Sequence, residues 1–172
     1  MAVALSDGRF RELDAKKNDE LIERGFGIAD GEGVVLSASE ALYLISKGRL
    51  IAESEKNEKM DFEKVMKMES SLDSLMEQKY VVYRHLRENG HVARISKKGD
   101  DGYYRVYRKG KRIGDEPAKY LVKVIGAEWK GGIEEIEAEV RKASALRKEL
   151  VLARAQTDGT IEFVKIGRAS FD

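Results

Sequence analysis

The sequence predicts an α/β (α+β) protein in two parts. A small N-terminal mixed α/β domain, residues 1–69, is followed by a C-terminal α/β domain, residues 70–172, with a central mixed sheet flanked by helices. Three observations predict this. Apolar residues recur at helical spacing in two long segments of the second half, with short β-patterned runs between and after them. Glycines and Asp-Gly pairs punctuate the ends of those segments. Charge also changes sign along the chain: residues 1–70 carry 11 Lys+Arg against 15 Asp+Glu, and residues 71–172 carry 21 against 16.

In the first part, Val3-Ala4-Leu5 and Phe10–Leu13 read as strands around the turn Ser6-Asp7-Gly8. Asn18–Arg24 reads as a short helix stopped by Gly25. Phe26–Ile28 and Val34–Leu36 flank Asp30-Gly31-Glu32-Gly33, a hairpin with a glycine-rich turn. Those glycines serve turn geometry, since no P-loop pattern is present. Ser37-Ala38-Ser39-Glu40 is a capping box, in which serine and glutamate satisfy each other's backbone donors. It opens a helix with Ala41, Leu42, Leu44 and Ile45, closed at Gly48. Ile51–Lys59 reads as a polar loop. Asp61 caps a helix carrying Phe62, Val65 and Met66, and Met68–Ser71 reads as a hinge between the domains.

In the second part, Leu72–Asn89 is a predicted helix with Leu72, Leu75, Met76, Val82 and Leu86 on its apolar face and Gly90 as its stop. Val92–Ile95 and the aromatic-rich Tyr103–Tyr107 read as strands, joined by a charged turn at Lys97–Gly102. A basic turn at Lys109–Arg112 follows. Tyr120–Ile125 reads as a largely buried central strand, just after the sole proline, Pro117. Ile133–Lys148 is a predicted helix with Ile133, Ile136, Val140, Ala143 and Leu146 on one stripe. Leu150–Ala153 and Ile161–Val164 form a hairpin around Thr157-Asp158-Gly159-Thr160.

Composition removes several function classes. With Cys 0, a disulfide framework and a thiolate zinc site are excluded. His85 and His91 lie across a helix stop without a matching acidic cluster, so no metal site is expected. No serine-hydrolase elbow is present. No apolar run approaches the roughly 18–20 residues of a membrane span, and the first residues lack a basic, then apolar, leader. A cytoplasmic setting without membrane or cofactor is the expectation.

The stretch Tyr80–Val124 holds both histidines and six of the seven tyrosines. From Lys79 to Arg112 it carries 11 basic residues against 3 acidic ones. Read as structure alone, this is a solvated face. Read as function, arginines neutralise phosphates and tyrosines stack on unpaired bases, which suits RNA. Arg84, Arg105, Arg108, Lys111 and Arg112 are the candidate contacts. Metal-free RNA cleavage by the 2′-hydroxyl needs a base, an acid for the leaving 5′-oxygen, and a cation for the charge at phosphorus. Tyr, His and Lys fill such roles.

The segment Tyr83-Arg84-His85-Leu86-Arg87-Glu88-Asn89-Gly90-His91-Val92 resembles the YRxLRxxG(Y)V segment of the archaeal tRNA-splicing endonuclease family. The resemblance continues through Tyr103–Tyr107, Lys119–Val124, Arg141-Lys142-Ala143, Arg147–Ala153 and the Asp158-Gly159 hairpin. In the first half it covers Glu23–Gly27 and Leu36–Leu44. The resemblance implies a nuclease-like C-terminal domain that cuts with a Tyr/His/Lys triad, leaving 2′,3′-cyclic phosphate and 5′-OH ends. It places the tyrosine at Tyr107 and the lysine at Lys148. At the histidine's place, just before Lys119-Tyr120-Leu121-Val122, stands Pro117, which has no titratable group. Glu116 beside it is a poor acid at neutral pH.

Some members of that family pair a catalytic subunit with a related structural subunit, two of each. The resemblance therefore implies a structural, non-catalytic chain whose partners are a catalytic endonuclease subunit and precursor tRNA. Two other readings stay open: an active endonuclease in which Glu116 or another histidine replaces the missing acid, and a non-enzymatic RNA-binding scaffold. The family's structural copies carry an acidic hairpin loop that docks on the partner; here Asp158 is its one acid, and Asp-Gly is also simply a favoured turn. Phe163 and Val164 on the last strand are candidate partner contacts, or belong to an internal strand.

Overall fold

A computed structural model describes residues 2–5, 7–95 and 102–171 of the chain. The charged turn expected at Lys97–Gly102 falls, except for Gly102, outside the described residues. The chain divides into two compact units, Met1–Arg84 and His85–Asp172. Both are mixed α/β.

The first unit holds a six-stranded sheet of order β3-β4-β2-β1-β5-β6. Its strands are β1 (Ala2–Ala4), β2 (Arg9–Glu12), β3 (Ile28–Ala29), β4 (Val34–Ser37), β5 (Ala52–Glu53) and β6 (Lys59–Met60). Its helices are α1 (Ala15–Glu23), α2 (Ala38–Ser46) and α3 (Phe62–Leu72), and α4 (Met76–Glu88) begins in it. The core is apolar: Phe10, Leu36, Leu42 and Leu44 are fully buried. Each such side chain contributes about 1.5–3 kcal/mol by leaving water.

The predicted capping box holds α2 in place. Glu40 Oε2 accepts from the Ser37 N–H at 2.8 Å and from Ser37 Oγ at 2.9 Å. Its Oε1 accepts from the Gly27 N–H at 2.8 Å. One buried carboxylate thus ties the helix start to the turn before β3. Gly27 is needed there: its φ is +62°, and an added Cβ would stand 2.4 Å from Val34 Cγ1.

Three stretches differ from the sequence reading. Ile51–Lys59 is not a plain loop, because β5 and β6 form a hairpin inside it. Ala52 is buried and lies opposite Ala2 of β1. Asn57 takes a left-handed φ of 60° at the turn. Two-residue strands in an acidic, polar run leave no alternation to read. The hinge expected at Met68–Ser71 is instead the last turns of α3. The break falls at residues 73–75, where Asp73 is extended and its Oδ1 accepts from the Leu75 N–H at 2.9 Å. Consequently α4 starts at Met76 rather than Leu72.

The second unit carries a five-stranded sheet of order β11-β10-β9-β8-β7. Its strands are β7 (Ala93–Arg94), β8 (Tyr103–Val106), β9 (Tyr120–Val124), β10 (Glu149–Ala155) and β11 (Ile161–Ile166). Helix α5 (Ile133–Ala145) crosses between β9 and β10, which are parallel, while the other pairs are antiparallel. Val140 and Ala143 of α5 join Tyr103, Leu121, Ile125, Leu150 and Leu152 in one buried cluster. A polar group sits at its side: Tyr103 Oη donates to Glu139, and Lys123 Nζ donates to the same carboxylate at 2.7 Å.

The sequence pattern carries the last helix to Lys148, but α5 ends at Ala145. Arg147 takes a left-handed φ of 54°. The Arg147 N–H donates to Ser144 O and the Lys148 N–H to Ala143 O, both at 2.9 Å. This is a Schellman stop with an arginine where glycine is usual. Lys148 is therefore the residue at which the helix hands over to β10.

Candidate functional site

The site is built by strand register. β8 runs antiparallel to β9, and β10 runs parallel to it, so the end of β8 meets the starts of β9 and β10. Tyr120 lies opposite both Val106 and Glu149. One step outward, the Lys119 N–H donates to Val106 O and the Glu149 N–H to Lys119 O, each at 3.0 Å. Tyr107, the segment Pro117–Lys119 and Lys148 therefore leave the sheet side by side at one end, although far apart in sequence.

Each position is fixed differently. The Tyr107 N–H donates to Val92 O at 2.9 Å, and His91 Nδ1 lies 2.8 Å from Tyr107 O. A carbonyl only accepts, so Nδ1 carries the hydrogen there. Lys148 Nζ donates to Ala118 O at 3.1 Å, which puts the ammonium beside the residue following Pro117. Burial, and then the positive charge of Arg105, lower the Lys148 pKa from its ordinary value. Pro117 itself is exposed. Glu116 is half-buried, and its Oε2 accepts from Arg108 Nη1 at 2.8 Å.

The basic residues expected to face RNA are only partly brought together. Arg108, Lys111 and Arg112 all stand exposed on the connection from Tyr107 to Pro117. That connection is ordered by the Arg108–Glu116 pair and by the Arg112 N–H donating to Asp115 Oδ2 at 2.9 Å. Arg105 lies on β8, on the sheet face that α5 covers farther along. Arg84 belongs to the first unit, where its guanidinium sits 5.7 Å from the centroid of the Tyr80 ring.

The expected partner contacts lie at the other edge of this sheet. Asp158 closes the β10–β11 turn: its Oδ1 accepts from the Thr160 N–H at 2.9 Å and from Thr160 Oγ1 at 2.7 Å. Those bonds hold its carboxyl pKa below the usual value. β11 is the outermost strand, not an internal one. Phe163 and Val164 on it are 39% and 53% exposed, so apolar surface is presented along a sheet edge. The Phe163 ring also lies 5.6 Å from that of His85.

Two contacts were not foreseen in the sequence. His91 braces the Tyr107 carbonyl, a contact across a turn that spacing does not reveal. Arg94 stands directly opposite Arg105 on β7. The alternation of Val92-Ala93-Arg94-Ile95 sends Ala93 and Arg94 to opposite faces. The register that pairs Arg94 with Arg105 depends on a connection without hydrophobic pattern.

The two-unit α/β architecture matches the two domain models of an RNA-processing class of protein. The chain is a member of the tRNA intron endonuclease family. Residues 76–163 match the family model for the tRNA intron endonuclease catalytic C-terminal domain, and residues 1–66 match that for the N-terminal domain. It is 34% identical over 164 residues to a tRNA-splicing endonuclease of Methanococcus vannielii, covering 95% of this chain and 91% of that protein. A Pyrococcus furiosus tRNA-splicing endonuclease is 32% identical over 166 residues, covering 96% and 94%. A Methanosarcina barkeri tRNA-splicing endonuclease is 33% identical over 158 residues; the match takes in 90% of this chain but only 45% of that longer protein.

Proposed function

We propose that this chain is a structural, non-catalytic subunit of a heteromeric tRNA-intron endonuclease. It acts with a catalytic homologue, two copies of each, on precursor tRNA in the cytoplasm. The observation that carries this reading is Pro117. In intron excision the 2′-hydroxyl attacks phosphorus, a cyclic phosphate forms, and the departing 5′-oxygen takes up a proton. Proline has no proton to give, and the position stands beside the Lys148–Ala118 contact, where the family resemblance puts the acid.

The alternative acid, Glu116, is engaged by Arg108, which argues against its substitution for histidine. Tyr107 and Lys148 are family positions kept without a complete triad. On this reading Arg84, Arg105, Arg108, Lys111 and Arg112 contact the RNA. Phe163, Val164 and the Asp158 turn meet the partner, and the exposed apolar edge of β11 supports that assignment.

The test is reconstitution. The purified chain is assayed for intron excision alone and together with a homologue that has histidine before the β9-equivalent strand. Excision only in the mixture supports the proposal. Efficient cutting by the lone chain, or a mixture no better than the homologue alone, refutes it.

A further inference from the structure

Arg94 of β7 and Arg105 of β8 are a directly opposed cross-strand pair. Such pairs share a face, with their Cβ atoms about 5 Å apart. Arg105 is likewise opposite Leu121 of β9, and Leu121 is opposite Leu150 of β10. Lys148 precedes Leu150 by two residues, at the strand start. Arg94 and Arg105 thus share one sheet face with Leu121 and Leu150, and Lys148 stands just before β10, at the end where Tyr107 emerges. Strands lie about 4.8 Å apart, so the cations are spread over roughly 15 Å. Arg94, Arg105 and Lys148 are all only partly buried.

We propose that Arg94, Arg105 and Lys148 form a cradle for the backbone phosphates of single-stranded RNA, held by this chain without being cut. Only Lys148 corresponds to a position of the family triad; the arginine pair widens the site along the sheet. Three observations support it. Lys148 donates only to a neutral carbonyl, Ala118 O, and pairs with no carboxylate among the described residues. Arg105 is close enough to make the Lys148 ammonium easier to deprotonate, so the two charges share one field. The width suits a run of phosphates better than one small anion, and guanidinium groups bind phosphate oxygens in pairs. Tyr107 beside the cations offers a ring for an unstacked base. The inference rests on the RNA-handling reading above, and deepens it by naming the ligand of this sheet face.

The test uses the full chain and a short fluorescein-labelled single-stranded RNA, titrated by anisotropy over a range of salt concentrations. Removing two phosphate contacts in R94Q/R105Q should weaken binding about tenfold or more. It should also flatten the plot of log K against log salt by about 1.4. The R94K/R105K variant keeps both charges and should restore most of the slope. K16Q/K17Q removes the same charge from α1 and should leave the slope unchanged. If the double glutamine variant does not fold, R105Q alone should flatten the slope by about 0.7. Wild-type slope and affinity in the arginine variants, no RNA binding by the wild type, or an equal loss in K16Q/K17Q would overturn the proposal. Reconstituted excision separates it from the functional reading. Arginine-dependent binding without rescue of excision keeps the cradle and sinks the subunit assignment; rescued excision with arginine-independent binding does the reverse.

Discussion

Lys148 Nζ donates to the carbonyl oxygen of Ala118 at 3.1 Å. A single contact therefore ties the start of β10 to the segment that enters β9, one residue past Pro117. Lys148 therefore stands beside a segment in which the exposed Pro117 has no titratable group.

That contact makes Pro117→His the most direct gain-of-function experiment. Imidazole would stand between the Tyr107 and Lys148 positions at the start of β9. P117H should raise metal-independent cutting of precursor tRNA above the wild-type chain by about 10²- to 10⁴-fold, the usual worth of one general acid. The assay is intron excision in the presence of a chelator. Adding Y107F or K148A to P117H should cancel the gain. A P117H chain that folds, binds RNA and stays silent would mean that Tyr107 and Lys148 no longer have productive geometry.

His91 braces the Tyr107 carbonyl through Nδ1 at 2.8 Å. Replacing it with phenylalanine keeps the ring and removes the donor. The H91F variant should lose about 1 kcal/mol of stability, the net worth of a partly buried hydrogen bond, measured by urea denaturation. In the P117H background it should also lower the excision rate, because Tyr107 loses one of its two main-chain anchors.

How far the sequence could be read follows from the kind of signal each element leaves. The α2 capping box and the buried β9 run are local patterns, and each element formed where its pattern lies; the α5 stripe placed the helix, but its end residues Ile133 and Leu146 are exposed and Leu146 lies past the helix. Tyr107, Pro117 and Lys148 were found by resemblance, while their convergence is a matter of register across β8, β9 and β10. Hydrogen-bonded neighbours such as Val106 and Lys119 carry no local mark of it. The β5–β6 hairpin was missed because two-residue strands have no period. The end of α5 was misread because Arg147 occupies a position that glycine would have announced. Arg94 and His91 act through contacts across turns, where composition is silent.

Arg147 itself gives a stability test. It is exposed, and its left-handed φ of 54° costs an L-residue about 1–2 kcal/mol. Glycine at this helix-stop position removes that cost, less some unfolded-chain entropy. R147G should therefore raise the unfolding free energy of the chain by about 1 kcal/mol, seen as a higher urea midpoint at unchanged m-value. A fall in stability would mean that the arginine side chain contributes more than its backbone costs.

Glu69 on α3 sets a pH dependence in the first unit. It is buried, and its Oε1 has no hydrogen-bond partner among the described residues. Burial first, then the charges of Asp7 and Asp73, push its pKa up from 4.5 to about 7. The sign follows from proton binding. Between about 4.5 and 7 the folded chain keeps a proton that the unfolded chain has released, so raising the pH favours unfolding. The contribution is fully present below pH 4.5 and is lost by pH 7. It amounts to at most about 3 kcal/mol. Stability measured by urea denaturation should fall across this window. E69Q, which is neutral throughout, should flatten that fall and leave the variant more stable than the wild type at pH 8. An unchanged pH profile in E69Q would show that Glu69 is not the group responsible.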